Sequence, residues 1–138
     1  YLLANEKDGK DFFLKTFGLD RITDLEISNS TFKSEKIDIE KYFINSFGII
    51  YGDNEQPEEI VLSFDAEQGQ YIKTLPIHHS QKVLIDNDKE YRIQLTLFPT
   101  YDLEREILSH GERVKIISPK SFRDHLQNEL KNMLKNYK

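Results

Sequence analysis

The chain contains no cysteine, which excludes disulfide bonds and thiolate-ligated metal centres. It also lacks long hydrophobic runs, because no apolar stretch approaches the ~20 residues that a helix needs to span a bilayer. The absence of cysteine fits a protein of the reducing cytosol. We therefore expect a cytoplasmic protein that has no membrane partner.

The sequence also lacks the short motifs of common catalytic sites. No serine lies in a nucleophile-elbow motif, and no glycine-rich phosphate loop is present. The closely spaced acidic pairs, Glu58 with Glu59 and Asp86 with Asp88, fit strand-edge and turn positions better than acid–base pairs. Composition leaves a hydrolytic Ser–His–Asp arrangement open, but no such set stands out. We expect no enzymatic activity and no cofactor.

An excess of basic charge is missing as well. Lysine and arginine number 19 against 24 aspartate and glutamate residues, and the net charge of −5 argues against a generally basic nucleic-acid binder. The charge is uneven, because residues 113–138 carry seven basic residues and only two acidic ones. These cations either solvate the outer face and C-terminus of a helix or form a strip that faces an anion or a nucleic acid.

The 138 residues suffice for one ordinary domain or two small ones, and an apolar content of 38% supports a hydrophobic core. The chain begins without methionine in an apolar run at residues 1–4, which is typical of a strand entered midway. We therefore expect a fragment of a longer protein. The turn-rich residues 51–57 predict a boundary between a first part, residues 1–50, and a second part, residues 57–138.

The first part has the pattern of a β meander followed by a short helix. A polar turn is predicted at residues 5–10, a strand at 12–17, and a third strand at 22–27, although the alternation there is imperfect. Asp38 can then cap a short helix that ends at Gly48.

The second part has the order β-α-β-β-α-β and ends in a further helix. Its clearest strand is residues 90–98, where apolar and polar residues alternate with a period of two. The strands are predicted at 59–64, 81–85, 90–98 and 114–117, and the helices at 65–73, 101–109 and 119–137. This order predicts an α+β fold, with a ferredoxin-like domain whose antiparallel sheet carries helices on one face.

The closing helix has a strongly marked beginning. Ser118 can act as N-cap, and Pro119 then occupies the first helical position, where its missing N–H costs nothing. Apolar residues follow at steps of three and four and form one stripe, which consists of Phe122, Leu126, Leu130, Met133 and Tyr137. We expect this stripe to close the core of the second part.

Two groups of residues are candidates for binding. Adjacent histidines on an extended segment point to opposite sides, so His78 and His79 are not expected to share a metal, and no metal site is predicted. His79, Ser80 and Gln81 are candidates for hydrogen bonding in a ligand cleft or at an interface.

The other group lies beside the strand break at Gly18. Lys15 and Arg21 flank this break, and a pair of cations at such a position is a candidate anion site. Arg92 and Arg113, in the second part, are further candidates on chemical grounds alone.

Residues 14–22, LKTFGLDRI, resemble the R-x-F-x-L-D-R-I signature of WYL-domain transcriptional regulators. Tyr1 and Leu2 match the last two letters of the Trp-Tyr-Leu tripeptide that names the family. Four later segments resemble the C-terminal extension of these regulators, called WCX; they are HSQ at 79–81, PTYD at 99–102, LSHGERV at 108–114 and SP at 118–119.

The resemblance implies a partial Sm-like, SH3-type β-barrel for the first part and a ferredoxin-like extension for the second. It also implies a homodimer and a helix-turn-helix DNA-binding domain upstream of this chain. Tyr1 and Arg21 match motif residues, whereas Lys15 and Gly18 stand where the family usually has arginine. Lysine keeps the charge but lacks the bidentate fork that suits phosphate.

These observations lead to two hypotheses from different classes. In the first, the chain is the effector-sensing and dimerisation region of a bacterial-type transcriptional regulator. Single-stranded nucleic acid or a nucleotide is the expected ligand, and promoter DNA is contacted through the absent N-terminal domain. The ligand-binding residues would be Tyr1, Lys15, Arg21, His79, Gln81, Arg92 and Arg113. In the second hypothesis, the chain is a ligand-free structural module for dimerisation or protein interaction.

Overall fold

The computed structural model describes residues 1–8, 11–33, 36–52 and 56–138. The chain forms two compact units, Tyr1–Ile39 and Glu40–Lys138, which we call the first and the second unit. None of the helices in the described ranges is long and apolar enough to cross a membrane.

The first unit is built on one β-hairpin. Strand β1 (Leu2–Asp8) pairs antiparallel with β2 (Asp11–Phe17) from the Leu2–Phe17 pair to the Asp8–Asp11 pair. The turn predicted at residues 5–10 is therefore wrong for residues 5–8, which belong to β1, while residues 9 and 10 lie outside the described residues. Polar side chains do not prevent a strand here, since diagonal neighbours across the hairpin such as Glu6 and Lys15 pair their charges.

The third strand predicted at residues 22–27 is wrong. A 3₁₀ turn, Leu19–Arg21, follows β2, and the chain then runs without regular structure. Asp24 has a φ of 52°, which breaks an extended conformation. Leu25 and Ile27 are 85% and 100% exposed, so no described part of this unit packs against their side chains to stabilise a strand there. The hairpin is the only sheet of the first unit among its described residues, and it does not close a barrel.

Helix α1 (Ile39–Phe43) begins directly after Asp38, as the sequence predicts. It ends at Phe43, earlier than expected. The Ser46 N–H donates to the Phe43 carbonyl at 2.9 Å, and this hydrogen bond closes a turn after the helix. Gly48 has a φ of +77°, a left-handed conformation that glycine adopts without strain. The predicted end residue therefore marks a turn after the helix.

The second unit contains a four-stranded antiparallel sheet in the spatial order β4-β5-β3-β6. Its strands are β3 (Glu58–Asp65), β4 (Lys82–Asp86), β5 (Glu90–Leu97) and β6 (Val114–Ser118). Its helices are α2 (Ala66–Thr74), α3 (Tyr101–Ser109) and α4 (Lys120–Lys135). This order and pairing confirm the ferredoxin-like β-α-β-β-α-β arrangement with a C-terminal helix.

The core lies between the sheet and the helices. Alternate residues of β3 and β5 point into it, and together with α2, α3, β6 and α4 they bury the following side chains: Ile60, Leu62, Phe64, Ile72, Tyr91, Ile93, Leu95, Leu97, Leu103, Ile107, Ile116, Phe122 and Leu126. Helix α2 approaches β5 so closely at Gly69 that a Cβ atom there would overlap the side chain of Tyr91. Buried and less buried side chains alternate strictly along β5, and this alternation determines which face of the sheet the helices cover.

The predicted beginning of the closing helix is wrong by one residue. Ser118 is the last residue of β6 and pairs with Val61, so it cannot act as N-cap. Pro119 is extended (φ −75°, ψ 159°) and occupies the N-cap position itself, without a side-chain cap. The pairing of the sheet holds Ser118 in the strand, and α4 begins at Lys120.

The apolar stripe of α4 closes the core only in part. Phe122 and Leu126 are buried, as expected, but Leu130, Met133 and Tyr137 are 49%, 44% and 85% exposed. The helix therefore continues past the edge of the core with its apolar side uncovered within the second unit.

Candidate functional site

Lys15 and Tyr1 occupy exposed positions on the hairpin of the first unit. The Lys15 Nζ lies 2.7 Å from the Glu6 Oε2, and it lies 5.7 Å from the centre of the Phe17 ring. The side chains of Lys15 and Glu6 are both about half exposed, so solvent screens their ion pair. Tyr1 is exposed at the start of β1.

Arg21 lies in the 3₁₀ turn that follows β2. Its N–H donates to the Gly18 carbonyl at 3.1 Å, and its side chain folds back over Gly18. A Cβ atom at Gly18 would lie 3.0 Å from the Arg21 Nε and 2.7 Å from the Asp20 Oδ1. Glycine therefore makes room for both side chains at this turn. Among the described residues, no carboxylate forms an ion pair with Arg21.

Arg92 lies on the face of the sheet opposite the helices, where Glu90 holds its guanidinium. Its Nη2 donates to both carboxylate oxygens of Glu90, at 3.0 and 2.9 Å, and its Nε donates to one of them at 3.2 Å. The Ser63 hydroxyl also donates to Glu90, at 2.6 Å. The Ser63 hydrogen bond, and after it Arg92 and the charge of Lys115, lower the pKa of Glu90. The donor fork of Arg92 is thus already occupied by an ionised carboxylate.

Arg113 ends a short 3₁₀ turn between α3 and β6 and pairs with the beginning of α2. Its Nη1 lies 3.0 Å from the Glu67 Oε2, and its Nε lies 3.9 Å from the Asp65 Oδ2. Glu67, and more weakly Asp65, raise the pKa of Arg113 above its ordinary value. Asp65 is the N-cap of α2 and accepts from the Gln68 N–H at 2.7 Å. Arg113 therefore links the connection between α3 and β6 to the connection between β3 and α2.

The segment with His79 and Gln81 is a hydrogen-bonded loop before β4. The Oε1 of Gln81 accepts from the Ile77 N–H at 3.0 Å, and the Ser80 hydroxyl accepts from the Thr96 N–H at 2.9 Å. Gln81 and Ser80 thus attach the loop to itself and to β5, while His79 stays exposed.

The two histidine rings lie close together, with their centres 3.9 Å apart, so the prediction that they point to opposite sides is wrong. The reason is local, because the segment forms a turn instead of an extended strand. Burial, and after it the neighbouring charge of His79, lower the pKa of His78 to about 4. The His78 Nδ1 accepts from the Ser80 N–H at 3.2 Å, which fits a neutral ring. Across the described part of the chain, no group of three or more metal-ligating side chains comes together.

The candidate residues of the second unit do not converge on one site. Arg92 and Arg113 lie near the Asp65–Glu90 end of the sheet, where those two residues are direct cross-strand partners. The loop with Gln81 attaches at Thr96, about 13 Å away along β5 from Arg92 at ~3.3 Å per residue. Tyr1, Lys15 and Arg21 belong to the first unit.

Sequence reasoning missed the carboxylates that hold the arginines. Glu90 could have been found, because residues two apart on a strand share a face. Glu67 could not, because its contact with Arg113 joins positions 46 residues apart. A further missed residue is Asp102, whose carboxylate accepts from the Ile49 and Ile50 N–H groups at 3.0 and 3.3 Å and anchors the segment before β3. Asp102 lies in the PTYD segment that carries part of the resemblance.

Comparison with known families gives one match. The WCX domain model matches residues 56–134, which is more than half of the chain and includes the whole four-stranded sheet. No curated protein matches the chain. WCX is the C-terminal extension of WYL-type regulators, and these domains are regulatory instead of catalytic. The chain belongs to the WCX-domain family and carries the regulator-associated C-terminal module that this family name denotes.

Proposed function

We propose that this chain is the effector-sensing and dimerisation region of a transcriptional regulator, and that it has no catalytic role. The expected effector is an anion, either a short single-stranded nucleic acid or a nucleotide, and Arg21 is its first contact. Membership of the WCX family supports the regulatory role. The assignment of the effector rests on the charges of the candidate residues.

One observation carries the choice of Arg21. In the ranges that the structure describes, Arg21 is exposed and has no carboxylate partner, whereas Arg92 and Arg113 each pair with carboxylates. Lys15 is paired only with the half-exposed Glu6, and such surface pairs contribute between about 0 and 1 kcal/mol. A phosphate can replace Glu6 at little cost, because this exposed ion pair is weak and screened by solvent.

An effector acts on the regulator through its different affinities for two states. The ligand would stabilise one state of a homodimer and so change the spacing of the helix-turn-helix domains that lie outside this chain. That spacing must match the half-sites of promoter DNA. In this scheme, the candidate arginines of the second unit do not bind the effector, because they are engaged in ion pairs. The second unit instead supplies a stable structure and protein contacts.

The test uses a fluorescein-labelled oligothymidylate of ten nucleotides. Its binding to the chain is measured by fluorescence anisotropy at two salt concentrations, with unlabelled nucleotides as competitors. We expect Arg21→Ala to weaken binding at least about tenfold and Lys15→Ala about threefold, and we expect binding to fall as salt rises. Lys89→Ala, at an exposed turn of the second unit, is the matched control and should bind as the wild type does. Absence of binding, or equal binding by all variants, would refute the proposal.

A second candidate function is a ligand-free module for dimerisation or protein interaction. The ion pairs of Arg92 and Arg113 favour it, because they leave the second unit without an unpaired arginine among the candidates. Sedimentation velocity distinguishes the two functions. This second function predicts a stable dimer whose sedimentation is the same with and without the oligonucleotide, while a monomer would count against it.

A further inference from the structure

A groove lies between the end of α3, strand β6 and helix α4 in the second unit. Its volume is about 710 Å³, and its walls are mostly apolar, including Ile107, Leu108, Ile117, Leu126 and Leu130. Charged and polar side chains also line it, namely Glu112, Lys115, Arg123 and Gln127. Grooves of this composition receive apolar side chains from a ligand or from another protein.

The groove continues along α4 as an exposed apolar strip. Leu130, Met133, Leu134 and Tyr137 are between 44% and 85% exposed, and we call them the α4 strip. At 100° per residue, Leu130, Met133 and Leu134 lie on the same side of the helix as the buried Leu126, and Tyr137 follows two residues after the helix ends. A strip of large apolar side chains that extends from a groove is the usual mark of an interaction surface.

One flank of the strip is basic. The helical spacing places Lys120, Arg123 and Lys131 on the side that borders the groove, with Asp124 as the one acidic residue there, while Glu129 lies on the other flank. Arg123 itself lines the groove and donates to the Ile117 carbonyl at 3.3 Å. Within the described ranges, none of these three cations forms an ion pair. An occupant of the groove therefore meets apolar walls and, along one side, an excess of unpaired positive charge.

We propose that the groove and the α4 strip bind an acidic amphipathic helix of a protein partner. The apolar stripe of such a helix would enter the groove and cover the strip, as helices do in other grooves of this kind. Its carboxylates would meet the basic flank, so the charge selects the partner and the apolar contact supplies most of the affinity. This surface is separate from Arg21 and does not depend on the proposed effector.

Charge also argues against a second copy of α4 as the occupant. An antiparallel two-fold pairing would bring the basic flank against its own copy, and like charges at that distance repel. A parallel pairing would offer the flank one carboxylate, Glu129. A lipid surface fits less well, because the stripe begins inside the core at Phe122 and the groove is concave, whereas a membrane-bound helix presents a convex apolar face.

The experiment uses the whole chain and a designed probe. The probe is an 18-residue fluorescein-labelled peptide with leucines at steps of three and four and glutamate with alanine elsewhere. One control peptide replaces every glutamate with lysine, and another keeps the composition but disperses the leucines around the helix. We expect saturable anisotropy with the first peptide that weakens as salt rises, and binding at least about tenfold weaker for both controls.

Variants locate the binding surface. Leu130→Glu should weaken binding of the acidic peptide at least about tenfold, because it places a charge in the apolar contact. Leu75→Glu alters an exposed leucine away from the groove and should have no effect. Lys131→Glu should weaken the acidic peptide about threefold to fivefold and improve the lysine peptide, whereas Lys89→Glu should change neither. Circular dichroism of each variant establishes that the fold is kept.

Several results would overturn the proposal. Equal affinity for the three peptides would exclude selection by shape and charge, and an unchanged affinity of Leu130→Glu would place binding elsewhere. A dimer that dissociates on Leu130→Glu, in a chain that does not bind the peptide, would identify the occupant as a second copy. Binding to anionic phosphatidylglycerol vesicles without binding to the peptide would identify a lipid surface.

Discussion

The two units use similar side chains to very different effect. The second unit buries eight large apolar side chains almost completely, namely Phe64, Ile60, Leu62, Ile93, Leu95, Leu97, Leu103 and Ile107. Among the described side chains of the first unit, none is buried, and Leu25, Ile27 and Phe32 are 85%, 100% and 90% exposed. The difference shows that apolar residues form a core only where a second layer of helices or strands packs against them. A hairpin alone has no such layer and is marginally stable in water.

The candidate arginines of the two units also differ in how they are held. In the second unit, Arg92 and Arg113 are neutralised by carboxylates that nearby strands and helices position. In the first unit, Arg21 projects from a turn, and no described carboxylate pairs with it. For these candidates we infer a division of roles, in which the second unit provides stability and the first unit provides the contact with the proposed effector.

The largest expected effect is on the core of the second unit. Leu95→Ala removes a fully buried side chain and should lower the free energy of unfolding by about 2–5 kcal/mol. Leu25→Ala, in the first unit, should change it by less than about 0.5 kcal/mol, since Leu25 is exposed. Urea denaturation followed by circular dichroism measures both. Similar losses for the two variants would contradict the contrast between the units.

A smaller effect is expected where α2 approaches β5. Gly69→Val adds atoms where Tyr91 already lies in contact, so it should lower the free energy of unfolding by about 1–3 kcal/mol. Gly111→Asn is the matched control, because no atom lies within 4 Å of a Cβ there and asparagine tolerates its φ of +60°. The same denaturation experiment applies, and a Gly69→Val variant as stable as the wild type would show that the close approach is not required.

The third effect depends on pH. Because the pKa of His78 is about 4 in the folded chain and about 6.5 when unfolded, the unfolded state binds more protons between these values. Stability is then fully present above about pH 6.5 and falls as the pH drops toward 4. Allowing for solvent screening of a half-buried ring, we expect His78 to account for a loss of about 1–2 kcal/mol.

A variant separates this loss from that of other groups. His78→Asn keeps an acceptor near Ser80 but does not titrate, so its stability should decline less between pH 7 and pH 4.5. Urea midpoints at several pH values provide the measurement. A decline equal to that of the wild type would exclude His78 as its source.

The sequence predicts much of the second unit because its signals are local. The alternation from Tyr91 to Leu97 fixes strand and face together, and Thr100 marks the position where α3 begins. The start of α4 was missed for a tertiary reason, since the pairing of Ser118 with Val61 overrides its capping tendency. The third strand of the first unit was wrongly predicted for the same kind of reason, because apolar residues at 22 and 25 do not form a strand without a partner.

The candidate site was less predictable than the fold. The type and position of each cation can be read from the sequence, but whether a carboxylate neutralises it depends on contacts such as Arg113 with Glu67. The exposed half of the α4 stripe was also unpredictable, since its spacing continues unchanged from Leu126 to Tyr137 while the core ends. Periodicity records which side of a helix is apolar and does not record how far the opposing layer reaches.

Hydrogen exchange of the whole chain, with and without the ten-residue oligothymidylate, tests the central division of roles most directly. We expect added ligand to slow exchange of the amides around residues 15–21 and to leave those around Arg92 and Arg113 unchanged. The amides of β3 and β5 should be the slowest to exchange in both conditions, because they open only with the core. Ligand-induced protection at Arg92 or Arg113 without any at residues 15–21 would contradict the account.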